Sequence, residues 1–382
     1  MNMEGVERNE NISFIKSIPN IKLLSKEINL ACKIIKSKIK DNRRIVIKHH
    51  NDADGFIGGY ALEKSIISYG HKRNIRINLT RYYYSQPSYT YNEALKDWNS
   101  LKKDDLLILI DFGSAKSSVL GLNRILYKGI NVIIIDHHPM EYKITEIRNR
   151  KKFLYINPYL YTQNVDVSAG LISIAISENI SFLKNKYLLG LISLYADKLY
   201  NTKHYEYMKN KINITDEKIK KYAKVIDFEI FHSSNDYGII NFVLNEKNDE
   251  FISHIYNEII KMENQMISLS KSHWMNKNNV FVIPYNKILL SQYPPPGKLT
   301  GVLFEELRKI HGEVVVIGVF NNMLIFRSND SKMTFEVFYS RISNLYGESY
   351  IDGGGHKEAG SIRIVRGIEI SPEKILDVII EG

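Results

Sequence analysis

The chain has 382 residues, 44% of them hydrophobic and 25% charged, which is typical of a globular protein with two or three domains. No apolar run approaches 18 residues, and the N-terminal residues include Glu4, Glu7 and Glu10, so we expect neither a membrane-spanning helix nor a secretory signal within residues 1–20. The net charge of +10 favours polyanionic partners such as nucleic acids, although a lysine-rich solvated surface accounts for the same balance. The single cysteine, Cys32, fits a reducing cytoplasm.

Apolar runs and helix-like spacings alternate in the first part of the chain. In chain order the predicted elements are strand 45–48, helix 58–69, strand 75–79, helix 91–101, strand 106–110, helix 118–127, strand 131–135, helix 167–178 and helix 186–199. This alternation predicts an α/β fold with a doubly wound parallel sheet. In such sheets ligands bind beyond the carboxyl ends of the strands.

A long helix predicted at 251–272 precedes a second, smaller α/β unit. Its predicted elements are strand 280–283, a rigid Pro-Pro-Pro-Gly loop at 294–297, helix 299–310, and a hairpin of strands 314–319 and 323–326 that turns at Asn321 and Asn322. We therefore expect a catalytic domain at 1–248, a connector helix at 249–277 and a substrate-binding domain at 278–382, with the active site in the cleft between the domains.

Acids and histidines follow three of the predicted strands directly. They are His50, Asp52 and Asp54 after the first, Asp111 after the second, and Asp136, His137 and His138 after the third. Asp197, near the end of helix 186–199, could join them. Carboxylates gathered at one sheet edge either take up protons or are neutralised by cations.

Oxygen and imidazole ligands together suit Mn²⁺, and Mg²⁺ less well. More than four ligands are available, so two ions could share one carboxylate and assist hydrolysis of a phosphoester. One such strand end could simply cap a helix, but three strand ends and an adjacent histidine pair favour a metal site.

The C-terminal part carries Gly353, Gly354, Gly355 and His356 in succession. Consecutive glycines allow backbone N–H groups to approach an anion and permit positive φ, so we expect a phosphate-binding turn here. Arg327, at the end of strand 323–326, is a second candidate phosphate contact. A flexible surface loop and a solvated arginine are the alternatives.

These motifs together resemble the DHH phosphoesterase superfamily. Residues 50–55, Asp111 and residues 136–138 resemble its first three motifs, and residues 196–197 resemble the fourth. Residues 353–360 resemble the signature of the DHH-associated domain. The chain looks closer to the compact two-domain RecJ-like proteins of archaea, or to nanoRNases and cyclic-dinucleotide phosphodiesterases, than to the larger bacterial RecJ exonucleases.

The resemblance implies a role for each residue. One ion would be held by His50, Asp52 and Asp111, and the other by Asp54, Asp111, His137 and Asp197. His138 would face the scissile phosphate, Asp136 would orient the histidine pair, and Arg327 with residues 353–356 would bind the substrate. The ions implied are two Mn²⁺, with Mg²⁺ possible. His49 is expected to be a structural neighbour, unless the register assigns it the place of His50.

The resemblance and the basic charge favour single-stranded DNA or RNA, or short oligonucleotides, as substrate. Tyr82, Tyr83 and Tyr84 could stack on unpaired bases, but packing of a tyrosine-rich strand against the sheet edge is the simpler interpretation. The alternative function is a non-catalytic, RecJ-like scaffold that binds replication or repair proteins. Because every expected metal ligand is present in the sequence, we favour the enzyme.

Overall fold

A computed structural model describes residues 18–86, 88–233, 238–288 and 293–381. The expectation that residues 1–20 contain no secretory signal falls mostly outside the described residues, because these begin at residue 18. The chain divides into unit 1, Met1–Ser253, and unit 2, His254–Gly382. None of the helices in the described ranges is long and apolar enough to cross a membrane.

Unit 1 is built on a five-stranded parallel sheet, as predicted. Its strands are β1 (Ile45–His50), β2 (Leu79–Tyr84), β3 (Leu106–Ile110), β4 (Asn131–Ile135) and β5 (Phe153–Ile156). The order across the sheet is β2-β1-β3-β4-β5, and every pair is parallel. The all-apolar strand β3 is fully buried, because helices cover both faces of a doubly wound sheet. All carboxyl ends therefore meet at one edge.

Unit 1 also contains the helices α1 (Pro19–Leu23), α2 (Ser25–Lys40), α3 (Ala53–His71), α4 (Tyr91–Ser100), α5 (Ser118–Tyr127), α6 (Ala169–Ile180), α7 (Lys186–Ala196), α8 (Lys203–Ile212), α9 (Asp216–Ser233) and α10 (Gly238–Val243). The long helix α11 (Asp249–Lys271) begins in unit 1 and continues into unit 2. Helix α3 packs closely on the sheet and on α6, since a Cβ at Gly58 would lie 2.8 Å from the Ile110 side chain and 3.2 Å from the Cα of Gly170. Helices α4 and α5 share a separate apolar cluster with β3 and β4.

Several sequence predictions in unit 1 were wrong in their bounds; the helix predicted at 58–69, for example, is α3 at Ala53–His71. The second strand is β2, not 75–79, because the tyrosine run itself forms the edge strand and Tyr84 packs on Phe112 with ring centroids 4.9 Å apart. Helix α7 ends at Ala196 rather than 199, since Lys198 adopts a left-handed conformation with φ +60°. Asp197 therefore lies just beyond the helix, in its C-cap position.

Unit 2 contains a six-stranded mixed sheet. Its strands are β6 (Met275–Lys277), β7 (Val280–Pro284), β8 (Val315–Phe320), β9 (Met323–Ser328), β10 (Ile351–His356) and β11 (Ala359–Ile364), and its helices are α12 (Pro296–His311), α13 (Phe335–Tyr346) and α14 (Pro372–Glu381). The order is β10-β11-β9-β8-β7-β6, with only β7 and β8 parallel among these neighbours. Strands β8 and β9 form the predicted hairpin, because Phe320 pairs with Met323 across Asn321 and Asn322.

The glycine run does not form the predicted turn. Gly353, Gly354 and Gly355 lie within strand β10, and the chain reverses after them at Lys357 and Glu358. Close strand contact, not positive φ, explains Gly355, since a Cβ there would lie 2.3 Å from the carbonyl oxygen of Ala359.

Candidate metal centre

The first motif turns sharply from strand β1 into helix α3. Asp52 caps the helix, and its Oδ1 accepts a hydrogen bond from the Gly55 amide at 3.0 Å. A Cβ at Gly55 would lie 2.8 Å from the backbone N and O of His50, so only glycine fits this turn. The turn brings His50 and Asp52 together, with His50 Nδ1 2.6 Å from Asp52 Oδ2.

Asp111 lies between the histidines of two motifs. It follows β3 directly, is 3% exposed, and adopts a left-handed conformation with φ +66°. Its Oδ2 lies 3.6 Å from His50 Nδ1, while its Oδ1 lies 3.4 Å from His137 Nε2 and 3.6 Å from His138 Nδ1. One carboxylate thus faces ligands from both neighbouring strands.

Two more carboxylates complete the cluster on the side of His137. Asp54, in the first turn of α3, is fully buried, and its Oδ1 accepts hydrogen bonds from the Gly170 amide at 2.9 Å and from the Ser193 hydroxyl. Asp197 Oδ2 lies 3.3 Å from His137 Nε2. The structure therefore brings together all the residues that the sequence suggested as metal ligands.

Three overlapping groups have one ligand atom per residue within 4.8 Å of the others. They are His50, Asp52 and Asp111; Asp111, His137 and His138; and Asp54, His137 and Asp197. Four of the ligand atoms are buried without a hydrogen-bond partner in the described part of the chain: Asp54 Oδ2, Asp111 Oδ1, His137 Nε2 and Asp197 Oδ2. Buried polar atoms without partners are costly, and convergent ones are what a cation would satisfy. The oxygen and imidazole donors fit two divalent ions.

The protonation of the site shows how strongly it favours positive charge. Burial, reinforced by the charge of Asp111, raises the pKa of Asp54 to about 6, and burial with the charge of Asp54 raises the pKa of Asp197 well above its ordinary value. Burial disfavours protonated His137, but the nearby carboxylate of Asp111 outweighs burial and raises the pKa of His137 to about 9. Without metal, protons supply the positive charge that the cluster needs.

His138 is oriented by Asp136. The Asp136 Oδ1 accepts hydrogen bonds from the backbone amides of His137 and His138 and lies 2.7 Å from His138 Nδ1. Although burial opposes its ionisation, the charge of His138 and these hydrogen bonds hold the pKa of Asp136 well below its usual range. Asp136 is therefore an ionised anchor for His138, whose side chain is 41% exposed.

Sequence reasoning missed the residues that hold these carboxylates in place. Ser114 donates to Asp136 Oδ2, and its hydroxyl lies 2.7 Å from that of Tyr155. Asn157 Nδ2 donates to the Tyr155 hydroxyl at 2.9 Å and to the His138 carbonyl at 2.8 Å. The unrecognised strand β5 was the missing signal, because Asn157 follows it directly at the same sheet edge.

His49 belongs to none of these groups. Its side chain is fully buried beside Phe56, its Nδ1 donates to the His50 carbonyl, and its Nε2 lies 3.3 Å from Arg81 Nη1. Burial lowers the pKa of His49 to about 3, so the ring is neutral. The geometry therefore places His50, not His49, beside Asp52 and Asp111.

The tyrosine run has both structural and exposed members. Tyr84 packs on Phe112, and Tyr89, farther along, is buried and donates to Asp97 at 2.6 Å. Tyr82 and Tyr83 are 42% and 39% exposed on the edge strand. Packing explains Tyr84, whereas Tyr82 and Tyr83 present their rings to solvent.

In unit 2, the candidate substrate-binding residues lie on strands β9 and β10, with strand β11 between them. Arg327 is half-buried on β9, and its Nη1 donates to the Phe326 carbonyl at 2.8 Å. Ala359 pairs with both Arg327 and His356, so these positions form one row across the sheet. Burial lowers the pKa of Arg327.

Comparison with known proteins identifies one domain and several relatives. Residues 44–193 match the DHH family, N-terminal domain. An uncharacterised protein of Methanocaldococcus jannaschii is 25% identical over 430 residues, an alignment that covers 97% of this chain but only 56% of the relative. The chain thus spans about half of that protein.

Two solved structures share the fold. The DHH domain of a member of a ribosomal-protein family has a TM-score of 0.83 at 20% identity and covers 99% of this chain and 98% of its own. RecJ of Thermus thermophilus in complex with Mn²⁺ has a TM-score of 0.64 at 14% identity, covering 93% of this chain and 54% of its own.

Proposed function

Because the chain belongs to the DHH superfamily through residues 44–193, we propose that it is a Mn²⁺-dependent phosphodiesterase acting on single-stranded nucleic acid or short oligonucleotides. The observation that carries the proposal is the convergence of four buried, unpartnered ligand atoms, on Asp54, Asp111, His137 and Asp197, at the carboxyl edge of a parallel sheet. Phosphodiester hydrolysis is chemistry that such a centre supports well. RecJ of Thermus thermophilus, which shares the fold, has been solved in complex with Mn²⁺ and with Mg²⁺, so the preference for Mn²⁺ rests on the imidazole donors.

The proposed ligands divide into two sets that share Asp111. They are His50, Asp52 and Asp111 for one ion, and Asp54, Asp111, His137 and Asp197 for the other. When bound, two such ions stabilise the negative charge of the attacking and leaving oxygens of a phosphoryl displacement. Mg²⁺ could substitute, although the imidazoles favour Mn²⁺.

Two residues act beside the ligands. Asp136 holds His138 by Nδ1 and favours its protonated form, because burial lowers the pKa of His138 but the charge of Asp136 outweighs that effect and raises it. Protonated His138 can then donate from Nε2 to an oxygen of the scissile phosphate. We assign His138 the catalytic role and Asp136 the role of positioning it.

Substrate binding is assigned to unit 2. The row of Arg327 and His356, with the backbone of Gly353, Gly354 and Gly355 on the same strand as His356, offers a guanidinium and peptide N–H groups to phosphate oxygens. His356→Ala should therefore weaken substrate binding more than metal binding. We place this reaction in the cytoplasm.

A metal-dependent digestion panel tests the proposal. It compares end-labelled single- and double-stranded DNA and RNA, dinucleotides and cyclic dinucleotides, each with Mn²⁺, Mg²⁺ or EDTA. We expect Mn²⁺-dependent shortening of single strands or short oligomers that EDTA abolishes. Mn²⁺ binding without hydrolysis of any substrate would instead favour the scaffold that binds replication or repair proteins.

A further inference from the structure

A second feature of unit 1 is a surface pocket between helices α4 and α5. It has a volume of about 330 Å³ and is lined by Tyr91 at the start of α4, by Leu120, Arg124 and Tyr127 of α5, and by Arg148. This volume is at the lower end of the range for small-ligand sites. None of the lining residues belongs to the metal centre.

The pocket exposes flat apolar groups. Tyr127 is 81% exposed, Leu120 70% and Tyr91 44%. Tyr127 stacks on the half-buried Trp98, with ring centroids 6.4 Å apart and planes inclined by 12°. Trp98 thus supports one face of the tyrosine ring, and Tyr91, Leu120 and Tyr127 together give the pocket an exposed apolar surface.

Arginines without acidic partners accompany the aromatic rings. The Arg124 guanidinium lies over Trp98, 4.1 Å from the ring centroid, and its Nε is buried with no hydrogen-bond partner in the described ranges. No carboxylate lines the pocket, and neither Arg124 nor Arg148 forms an ion pair with an acid that the structure describes. Stacking on Trp98 restrains Arg124 in advance, which lowers the entropy cost of binding an anion.

From this pairing of supported aromatic faces with guanidinium groups that no described acid neutralises, we propose that the α4–α5 pocket binds a nucleotide unit of a single-stranded nucleic acid. A base would stack on Tyr127 or Tyr91, and its phosphates would contact Arg124 and Arg148. A duplex hides its base faces, and an acidic peptide supplies anions without planar rings, so a single strand matches both features. The inference rests on the proposed function, because the strand bound in this pocket would be the substrate of the metal centre, held by a second site.

Fluorescence anisotropy in EDTA measures strand binding without hydrolysis. The probes are end-labelled single-stranded DNA and RNA of about 20 nucleotides, the length assumed for a strand that exceeds one binding site. Tyr127→Ala should weaken binding about tenfold, the size of one lost stacking contact. The double variant Arg124→Gln, Arg148→Gln would lose two phosphate contacts. The slope of log K against log salt concentration should therefore become shallower by about 1.4.

Phe182→Ala is the matched control, since Phe182 is 46% exposed on a different loop of unit 1. It should leave affinity unchanged, and thermal unfolding of each variant checks the fold. Unchanged strand affinity in the Tyr127 and arginine variants would overturn the inference, as would displacement of the strand from the pocket by oligoglutamate at similar concentration. The digestion panel tests the proposed function separately: hydrolysis of none of its substrates, alongside weakened strand binding in the variants, would refute that function but not this site.

Discussion

Replacement of Asp111 by asparagine tests the metal centre most directly. Asp111 faces His50 on one side and His137 on the other, so one substitution removes a charged ligand from both proposed ion sites. Asparagine also tolerates the left-handed backbone at φ +66°, which alanine does not. Asp111→Asn should therefore preserve the fold.

The expected losses follow from the shared position. Stabilisation of the reacting oxygens by the ions contributes several kcal/mol, so a loss of about 4 kcal/mol lowers turnover roughly 10³-fold. At a Mn²⁺ concentration 100 times its Kd, one bound ion stabilises the wild type by about 2.7 kcal/mol. For a unit of this size that is a rise of roughly 5–10 °C in Tm, which the variant should lose.

Calorimetric Mn²⁺ titration and thermal unfolding with and without Mn²⁺ measure both effects. Asp104→Asn is a matched control, because Asp104 also has a left-handed backbone, at φ +71°, but pairs with Lys152 on the surface. That variant should bind Mn²⁺ like the wild type. If Asp111→Asn kept near-normal Mn²⁺ affinity and turnover, the bridging assignment would be wrong.

Three further outcomes are expected. The metal-free protein should lose stability as pH rises from 6.5 through about 9, because protonated His137, whose pKa is raised to about 9, stabilises the folded state below that range. Urea unfolding across this pH range measures the loss. At pH 7.5 Mn²⁺ binding should release protons, which calorimetry in buffers of different ionisation enthalpy would detect. Ser193→Ala should weaken Mn²⁺ binding about tenfold, because Asp54 would lose the hydrogen bond that positions its carboxylate. The control Ser173→Ala removes a buried hydroxyl with no described partner and should leave Mn²⁺ binding unchanged. Equal Mn²⁺ affinities of the two variants in titration would contradict the positioning role of Ser193. Gly360→Ala should destabilise unit 2 by about 1–3 kcal/mol, because its Cβ would lie 2.3 Å from the Phe335 ring. Gly301→Ala should stabilise unit 2 by about 0.5–1 kcal/mol, because a Cβ there meets open space within helix α12. Chemical unfolding of the full chain measures both changes.

The part of unit 1 that surrounds the metal centre was predictable because its strands are continuous apolar runs. Strands β3 and β4 and helix α5 have the predicted bounds, and the two strands each place a motif at the sheet edge. Strand β5 was missed because Phe153–Ile156 is only four residues long and follows a basic segment. Asn157, which follows this strand, was missed for the same reason. Its role also depends on contacts across the sheet, which no local sequence pattern encodes.

Unit 2 shows the opposite limit. A run of three glycines suggests a turn when it is considered alone, since glycine permits any backbone conformation. The structure instead uses Gly355 and Gly360 to let strands approach each other and the Phe335 ring closely. The Phe335 ring lies far from Gly360 along the chain, so the sequence near residue 360 could not reveal that contact.

The ligands of the proposed centre extend from His50 to Asp197 and come from three strand ends and the cap of a helix. An ion held by these ligands would cross-link distant parts of the chain and close a loop that includes most of unit 1. A disulfide has the same effect in other proteins. Partial unfolding of any one of these elements would then release the metal. Metal loading should therefore slow the exchange of backbone amide hydrogens throughout the parallel sheet, and not only beside the bound ions.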